Sequence, residues 1–302
     1  MSRCIAFHSY KGGTGKTTLA ANFAASLVEK GNVVFLLDVD VYAPSLDTYF
    51  NTTPKKWINN YLQGNASVDD IYVDLTDKLR VDNGGKLCVC FSSGNKEDIY
   101  SLDSGISKQE KTQLQFLRNF IALREELIMK KNADYVILDT SPGIRYWSIN
   151  SLAISDLVIL TLKMGDLDIE GTQRMVRNIY DSFTKFGTSC VLLFNRVAGY
   201  CTVPNSSNNN DQTIGYTHNN RIQSNHNNHD VKLDFSNANN NNKDDDDDIC
   251  QILSTSTKMD VISKIPCYCD IQFSKKEFLT SLQYPNHPFS ERLNDLIKKL
   301  ES

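Results

Sequence analysis

Compact apolar runs alternate with stretches of helical periodicity along most of this chain. Each run is short enough to be a buried strand, and apolar residues recur at helical spacing between several of them. Strands are predicted at 3–8, 33–38, 86–91, 134–139, 157–162, 189–194 and 261–265, with helices at 16–30, 112–131 and 171–186. The alternation predicts an α/β fold, in which a mostly parallel twisted sheet of about seven strands carries helices on both faces.

Residues 205–248 depart from this pattern. They contain 14 Asn and 8 Asp among 44 positions and end in five consecutive aspartates. Because such a segment has few apolar groups to offset chain entropy, we expect a disordered insertion within a single domain spanning 1–302. An acidic tether or a metal-sensing loop is the functional alternative. Its 3 basic and 8 acidic residues contribute −5 to the net charge of −4, which leaves +1 for the remainder, so the overall acidity does not argue against DNA binding.

Length and composition allow a substantial core, since 40% of the 302 residues are apolar. The sequence shows neither a run of about 18 uncharged apolar residues nor a signal peptide at Met1, so we expect a soluble, cytoplasmic protein. The eight cysteines are expected to be reduced thiols. Cys88 and Cys90, like Cys267 and Cys269, are spaced C-x-C, which favours buried hydrophobes over iron–sulfur or zinc ligands because C-x-x-C spacing is absent.

The segment 9–18, SYKGGTGKTT, follows the first predicted strand and carries the most specific signal in the chain. Its glycines allow positive φ and inward-facing N–H groups, and the following helix adds its positive dipole end, so we expect bound phosphates rather than a flexible turn. Lys16 would contact the β and γ phosphates, Thr17 would supply a hydroxyl to Mg²⁺, and Thr18 a donor near the α phosphate. The candidate ligand-binding residues are Gly12, Gly13, Thr14, Gly15, Lys16, Thr17 and Thr18.

Two further apolar runs end in acidic residues. The run 33–37 leads into Asp38 and Asp40, and the run 135–138 leads into Asp139. Alternation places Asp38 and Asp40 on the same side of an extended chain, at the carboxyl edge of the sheet where α/β proteins bind ligands. Asp139 can hold a water of a Mg²⁺ shell. The alternatives are that Asp38 or Asp40 caps a helix or turn, and that Asp139 ends a strand without a ligand.

The loop K-G-G-T-G-K-T-T, in which a second lysine stands five residues before Lys16, resembles the deviant Walker A motif of the MinD/ParA family of ATPases. The segment after 135–138 reads D-T-S-P-G and agrees with the family's Walker B pattern D-T-x-P-G. Further family landmarks recur across nearly the whole chain. The resemblance implies a P-loop NTPase fold of the SIMIBI class, ATP and Mg²⁺ as ligands, ATP hydrolysis, and a homodimer that forms on ATP.

The resemblance also implies roles for single residues. Lys11 would cross the dimer interface to the partner's nucleotide, much as an arginine finger does. The D-x-D segment corresponds to a switch region of the family, so Asp40 is the candidate for orienting the attacking water and Asp38 supports Mg²⁺ or its waters. The catalytic candidates are therefore Lys11, Lys16 and Asp40, and the metal-site candidates are Thr17, Asp38 and Asp139.

The resemblance implies that Asn195 and Arg196 lie beside the adenine ring, at the end of the site that we call the base end. Pro266 would open a later loop over the same base. Without the resemblance, an Asn at the end of a strand indicates only a turn.

The implied cellular role is the positioning of chromosomes, plasmids or division machinery, with DNA or a division or partition protein as partner and 51–131 as the partner-facing segment. The last helix is expected to pack on the core rather than anchor to a membrane. Two alternatives stay open: a Mrp-type iron–sulfur carrier ATPase, which needs paired cysteines at the dimer seam, and a regulatory module that binds nucleotide without hydrolysing it. The apolar face of the last helix comprises Phe289, Leu293, Leu296, Ile297 and Leu300.

Overall fold

The computed structural model describes residues 2–79, 81–100, 102, 110–180, 187–197, 242–272, 274 and 279–301. These residues form one sheet with the strand order β3-β4-β2-β5-β1-β6-β7-β8, in which every neighbouring pair is parallel except β3 with β4. The strands are β1 (Arg3–His8), β2 (Val33–Val39), β3 (Tyr72–Asp74), β4 (Lys86–Cys90), β5 (Tyr135–Thr140), β6 (Leu157–Leu162), β7 (Ser189–Val197) and β8 (Val261–Pro266).

Helices connect the strands and cover both faces of the sheet. They are α1 (Lys16–Glu29), α2 (Leu46–Phe50), α3 (Ile58–Leu62), α4 (Val68–Ile71), α5 (Thr76–Leu79), α6 (Glu110–Lys131), α7 (Tyr146–Ala153), α8 (Asp166–Met175), α9 (Asn242–Thr257), α10 (Cys269–Gln272), α11 (Thr280–Gln283) and α12 (Pro288–Glu301). Residues 96–100 are also helical, and a π-helical turn, Val176–Tyr180, continues α8.

The predicted α/β fold with a mostly parallel sheet is confirmed, and each of the seven predicted strands is present. The sheet has eight strands rather than the predicted seven or so, because β3 was not predicted. This strand has three residues and pairs antiparallel with β4 at the edge of the sheet, so it is too short to show an alternating pattern. The strand predicted at 189–194 extends to Val197. It stays paired with β8 to that point, with an irregularity between Asn195 and Val197.

Alternation along the central strands divides the core between the two faces of the sheet. In β1, Cys4 and Ala6 join the cluster that contains side chains of α6, α7 and α8, whereas Ile5 and Phe7 join the cluster that contains α1 and α12. Strands buried on both faces explain the nearly continuous apolar runs of the sequence. The predicted packing of the last helix on the core is confirmed, since four of its five apolar residues are buried: Phe289, Leu293, Leu296 and Ile297.

The Asn/Asp-rich insertion falls largely outside the described residues, namely over 205–241, and the predicted helix 171–186 is described only as far as Tyr180. The final part of the insertion, 242–248, forms the first half of α9. Among the helices of the described ranges, none is both long and apolar enough to cross a bilayer.

Candidate functional site

The loops after five parallel strands meet at the carboxyl edge of the sheet, as expected for ligand sites of α/β proteins. The loop 9–18, which we call the P-loop, follows the central strand β1 and leads into α1. The neighbouring strands β2 and β5 place Asp38 directly beside Asp139 in the parallel register. On the other side, β7 and β8 bring Asn195 and Pro266 to the same edge.

The backbone of the P-loop depends on two glycines. Gly13 has φ 75° and Gly15 has φ 88°, a left-handed conformation that is costly for other residues. Gly15 is also the residue before α1, and a Cβ there would collide with Nδ2 of Asn195. Gly12, the remaining glycine of the loop, does not take positive φ. Its place is open enough that a Cβ would meet only Pro142, at 4.0 Å.

Lysine Lys16 lies buried at the start of α1. Its Nζ donates a hydrogen bond to Oγ of Ser9 at 3.1 Å, and that hydroxyl donates to the carbonyl of Lys11 at 2.6 Å. Burial lowers the pKa of Lys16, while the negative charges of Asp139 and Asp40 oppose the shift. Within the described part of the chain, Nζ of Lys16 forms no ion pair with a carboxylate, so this buried cation suits a bound phosphate.

Other P-loop side chains take distinct positions. Thr14 is fully buried, with Oγ1 at 3.0 Å from Oγ1 of Thr161, so only its backbone can take part in a phosphate cradle. Thr17 accepts a hydrogen bond from Oγ of Ser45 at 3.4 Å. Lys11 is half-buried at the entrance of the loop, and Thr18 lines a recess that Asn195 and Pro266 also line.

The carboxylate of Asp38 caps the loop that follows β2. Its Oδ1 accepts from the amide of Asp40 at 3.1 Å, and its Oδ2 accepts from the amides of Ser45 at 3.0 Å and Leu46 at 3.1 Å. Leu46 begins α2, so Asp38 acts as the helix or turn cap that the sequence left as an alternative. Burial, and then the charge of Asp139, raises the pKa of Asp38 well above its usual value.

Asp139 lies beside Asp38 and is also buried, and among the described residues its Oδ1 has no hydrogen-bond partner. Burial raises the pKa of Asp139 to about 6; the hydroxyl of Thr17 and the charge of Lys16 lower it, and Asp40 raises it. An unpartnered carboxylate oxygen, a second carboxylate and a hydroxyl are hard donors that fit Mg²⁺, which takes its other ligands from phosphates and water. No group of three His, Cys, Asp or Glu side chains suited to a metal occurs within the described part of the chain.

Asp40 closes the turn after β2. Its Oδ1 accepts from the amides of Tyr42 at 3.3 Å and Ala43 at 3.1 Å, and from Oγ of Ser141 at 2.9 Å. We call residues 40–45 the switch loop and residues 141–145 the Walker B loop. The hydroxyl of Ser141 was not among the sequence predictions, because a serine in a turn gives no signal of what it contacts.

The residues predicted at the base end line one recess. The side-chain amide of Asn195 donates to the carbonyl of Thr14 at 2.7 Å, and Nη1 of Arg196 donates to the carbonyl of Gly13 at 3.1 Å, so both brace the P-loop. Arg196 takes φ 57° within the irregular end of β7. The recess beyond them is lined by Gly15, Thr18, Asn195, Arg196, Pro266, Cys267, Tyr268, Ile271, Gln272 and Phe289.

His8 was also missed by the sequence reasoning. It ends β1 directly before the P-loop and is buried, with Nδ1 at 2.6 Å from Oγ1 of Thr140 at the end of β5. Oγ1 of Thr140 also lies 2.9 Å from the carbonyl of Phe7, so the imidazole, the hydroxyl and the backbone of β1 form one connected group. Burial, and then the charge of Lys16, lowers the pKa of His8 to about 3. A neutral imidazole therefore ties β1 to β5 beneath the site.

The cysteines whose side chains the structure describes do not gather at the site. Cys88 and Cys90 are buried in the core as predicted, and burial raises the pKa of Cys88 to about 12. Cys267 is a free thiol at the rim of the recess, and the side chain of Cys269 lies outside the described residues.

Comparison with known proteins gives consistent results. The family model described as "AAA domain" matches residues 2–186. The flagellum site-determining protein YlxH of Helicobacter pylori is 29% identical over 160 residues, which are 53% of this chain and 47% of the relative. The sporulation initiation inhibitor protein Soj of Bacillus subtilis is 26% identical over 180 residues, 59% of this chain and 65% of the relative. The chain thus spans less than two thirds of either relative.

A solved structure extends the likeness of the fold to the whole chain. The septum site-determining protein MinD of Pyrococcus horikoshii, in complex with Mg-ADP, superposes with a TM-score of 0.66 at 16% identity. The alignment covers 100% of this chain and 97% of the other.

Proposed function

Because this chain belongs to the AAA-domain family and, within it, to the MinD/ParA ATPases, we propose that it is a molecular switch that binds and hydrolyses Mg-ATP. The observation that carries the proposal is the meeting of a glycine-built loop, the buried Lys16 and the unpartnered oxygen of Asp139 at one sheet edge. The buried ammonium of Lys16 and the buried Oδ1 of Asp139 are costly without a charged partner, and a magnesium-bound triphosphate would supply an anion to the first and a cation to the second.

We assign the phosphate end to the P-loop. Amides of Gly13 and Gly15, with the positive end of α1, would cradle the phosphates, and Lys16 would exchange its contact with Ser9 for phosphate oxygens. Thr17, Asp38 and Asp139 would hold Mg²⁺ or its waters. Bound there, Mg²⁺ would supply positive charge against the negative charge that develops on the transferred phosphate.

We assign the reaction to attack of water on the γ phosphate, with Asp40 orienting the water. Among the described residues, the hydrogen bonds to Asp40 all end on Oδ1, and its Oδ2 receives none. That oxygen is thereby available to accept a hydrogen bond from a water. Positioning of this kind, with electrostatic stabilisation by Lys16, accounts for most catalysis in phosphoryl transfer.

At the base end, we assign the recess beside Asn195 and Pro266 to adenine. A face of apolar and aromatic side chains, including Tyr268 and Phe289, suits a flat base. Asn195 and Arg196 would act there as braces of the P-loop as well as neighbours of the base.

We further propose that ATP closes two copies face to face and that Lys11 reaches the partner's nucleotide. Lys11 lies half-buried at the entrance of the P-loop, where it borders the phosphate end of the site. A dimer that forms with ATP and separates after hydrolysis would present its surface to a partner only in one nucleotide state.

The decisive experiment compares gel filtration with ATP, a non-hydrolysed analogue and ADP, together with phosphate release. The wild type should dimerise with ATP or the analogue and not with ADP. Lys11→Ala should lose the dimer and at least about 100-fold of the hydrolysis rate, as for removal of a charge acting in trans. Lys55→Ala, at an exposed lysine, is the matched control. Equal dimerisation of the Lys11 and Lys55 variants would exclude the role in trans.

The relatives suggest which process the switch serves. YlxH and MinD are named flagellum and septum site-determining proteins, so we propose that this chain positions a cellular structure, with DNA or a division or partition protein as its partner. Co-sedimentation with DNA, and with a candidate partner, in each nucleotide state tests this. Binding that does not differ between ATP and ADP would contradict a switch.

A further inference from the structure

Two loops of the site touch through side chains. Oγ of Ser141 in the Walker B loop donates to Oδ1 of Asp40 in the switch loop at 2.9 Å. The guanidinium carbon of Arg145 lies 4.6 Å from the centroid of the Tyr42 ring, a cation–π contact between the same two loops. The switch loop is therefore joined to the end of β5 as well as to its own strand.

Ser141 is the more firmly held partner of this contact. Its side chain is fully buried, and its carbonyl accepts a hydrogen bond from Oγ of Ser148 in α7 at 2.9 Å. Two residues later, the amide of Gly143 donates to the carbonyl of Ser9 at 2.8 Å, which ties the Walker B loop to the P-loop. The hydroxyl of Ser141 is thus a donor whose position the surrounding fold determines.

Asp40, by contrast, lies at the surface of the site on a turn. Its Oδ1 accepts three hydrogen bonds, two from the amides of its own turn and one from Ser141. The two amides move with the loop, so they cannot fix the carboxylate relative to the P-loop. Only Ser141 among the described donors comes from a different loop, and an oxygen with three donors has no lone pair left to exchange.

We propose that Ser141 is a positioning residue that holds Asp40 with Oδ1 toward the Walker B loop and Oδ2 toward the phosphate site. The catalytic effect of this contact rests on the proposed ATPase function, in which Asp40 orients the attacking water. The hydroxyl of Ser141 sets the orientation of the Asp40 carboxylate toward the attacking water. Ser141 does not contact the reacting atoms, and it acts through Asp40.

The test compares Ser141→Ala with Ser151→Ala, a matched control in which an equally buried serine donates to the carbonyl of Ser148. In Ser141→Ala we expect kcat for ATP to fall about 10-fold, as for the loss of one hydrogen bond to a charged group, with KM within about 2-fold of the wild type. In a background of Asp40→Ala, the same substitution should have no further effect on kcat, because the group through which it acts is gone.

A second readout needs no catalysis. Hydrogen exchange of the amides of Tyr42 and Ala43 without nucleotide should be about 10-fold faster in Ser141→Ala than in the wild type or Ser151→Ala. If the wild type released no phosphate, the proposed function would be overturned. Hydrogen exchange would still show whether Ser141 holds Asp40. Equal exchange in both serine variants would overturn the proposal. So would a Ser141→Ala protein that changes only KM or melting temperature.

Discussion

The P-loop and the switch loop lie side by side at the same sheet edge, and they are held by different means. The P-loop has its shape because two glycines take positive φ and because Asn195 and Arg196 donate to its carbonyls. The switch loop has its shape because two carboxylates, Asp38 and Asp40, accept its amides. The conformation of the P-loop depends on its own backbone. The conformation of the switch loop depends on carboxylates, which a bound cation could attract.

This difference separates binding from response. A loop whose geometry is fixed by glycine is ready for phosphate before the ligand arrives, so little ordering entropy is lost on binding. Oδ2 of Asp38, which caps the start of α2 by accepting the amides of Ser45 and Leu46, belongs to a carboxylate that would hold Mg²⁺ or its waters. We expect the arrival of the ion to compete with those caps and to move the switch loop while the P-loop stays in place.

The largest effect should come from Gly15→Ala, which disrupts the preformed backbone of the P-loop. A Cβ at φ 88° would add about 1–2 kcal/mol of left-handed strain and would also collide with Nδ2 of Asn195. Titration calorimetry with Mg-ATP should show affinity lower by at least about 100-fold. Binding as tight as that of the wild type would contradict the fixed cradle.

A matched control separates strain from collision. Gly64 also takes positive φ, 79°, and a Cβ there meets nothing within 4 Å. Gly64→Ala should therefore destabilise the fold by about 1 kcal/mol and leave Mg-ATP affinity unchanged. If both variants lost affinity, the effect of Gly15→Ala would come from general destabilisation.

The next effect concerns Asp139, beside the switch loop. Its pKa is raised from 3.8 to about 6, so its contribution to stability is full below pH 3.8 and is lost as the pH rises through 6. From about pH 4 to about pH 7.5, the wild type should lose about 2–3 kcal/mol relative to Asp139→Asn, which carries no titrating carboxyl there. Urea unfolding at both pH values measures this without any ligand.

The same variant should bind Mg-ATP much more weakly, so stability and binding move in opposite directions. The physical reason is that the buried, unpartnered Oδ1 of Asp139 is retained at a cost to the free protein and is satisfied only by the ligand. A stability difference that does not change with pH would contradict the ionised, buried carboxylate.

A smaller effect should come from His8, which links the strand before the P-loop to the strand before the Walker B loop. Its pKa is lowered from 6.5 to about 3, so its contribution to stability is present above pH 6.5 and is lost as the pH falls toward 3. From about pH 7.5 to about pH 5, the wild type should lose about 2 kcal/mol relative to His8→Asn. Parallel stability curves for the two proteins would exclude a buried neutral imidazole.

Much of this architecture could be predicted from the sequence, because the information is local. Strands buried on both faces read as apolar runs, and seven of them were predicted from that pattern alone. The P-loop and the acidic strand ends are contiguous in the chain, so their residue types and spacing could be recognised without a structure. The edge strand β3 was missed because three residues carry no periodicity.

The details that depend on neighbours distant in the chain could not be predicted. Nothing near position 8 indicates that its imidazole meets Thr140, and nothing near position 141 indicates that its hydroxyl meets Asp40. Which of the P-loop glycines take positive φ could not be predicted either, because a glycine permits that conformation without requiring it and Gly12 does not take it.

The sequence by itself therefore determined which fold forms and which residues gather at its edge, because the period of apolar residues selects strand and helix and the parallel order brings strand ends together. Only the tertiary structure decided how those residues are used: Asp38 as a cap, Asp139 with an unpartnered oxygen, and Asp40 held by Ser141. Hydrogen bonds and burial depend on distances between chain segments, and those distances exist only once the sheet has assembled.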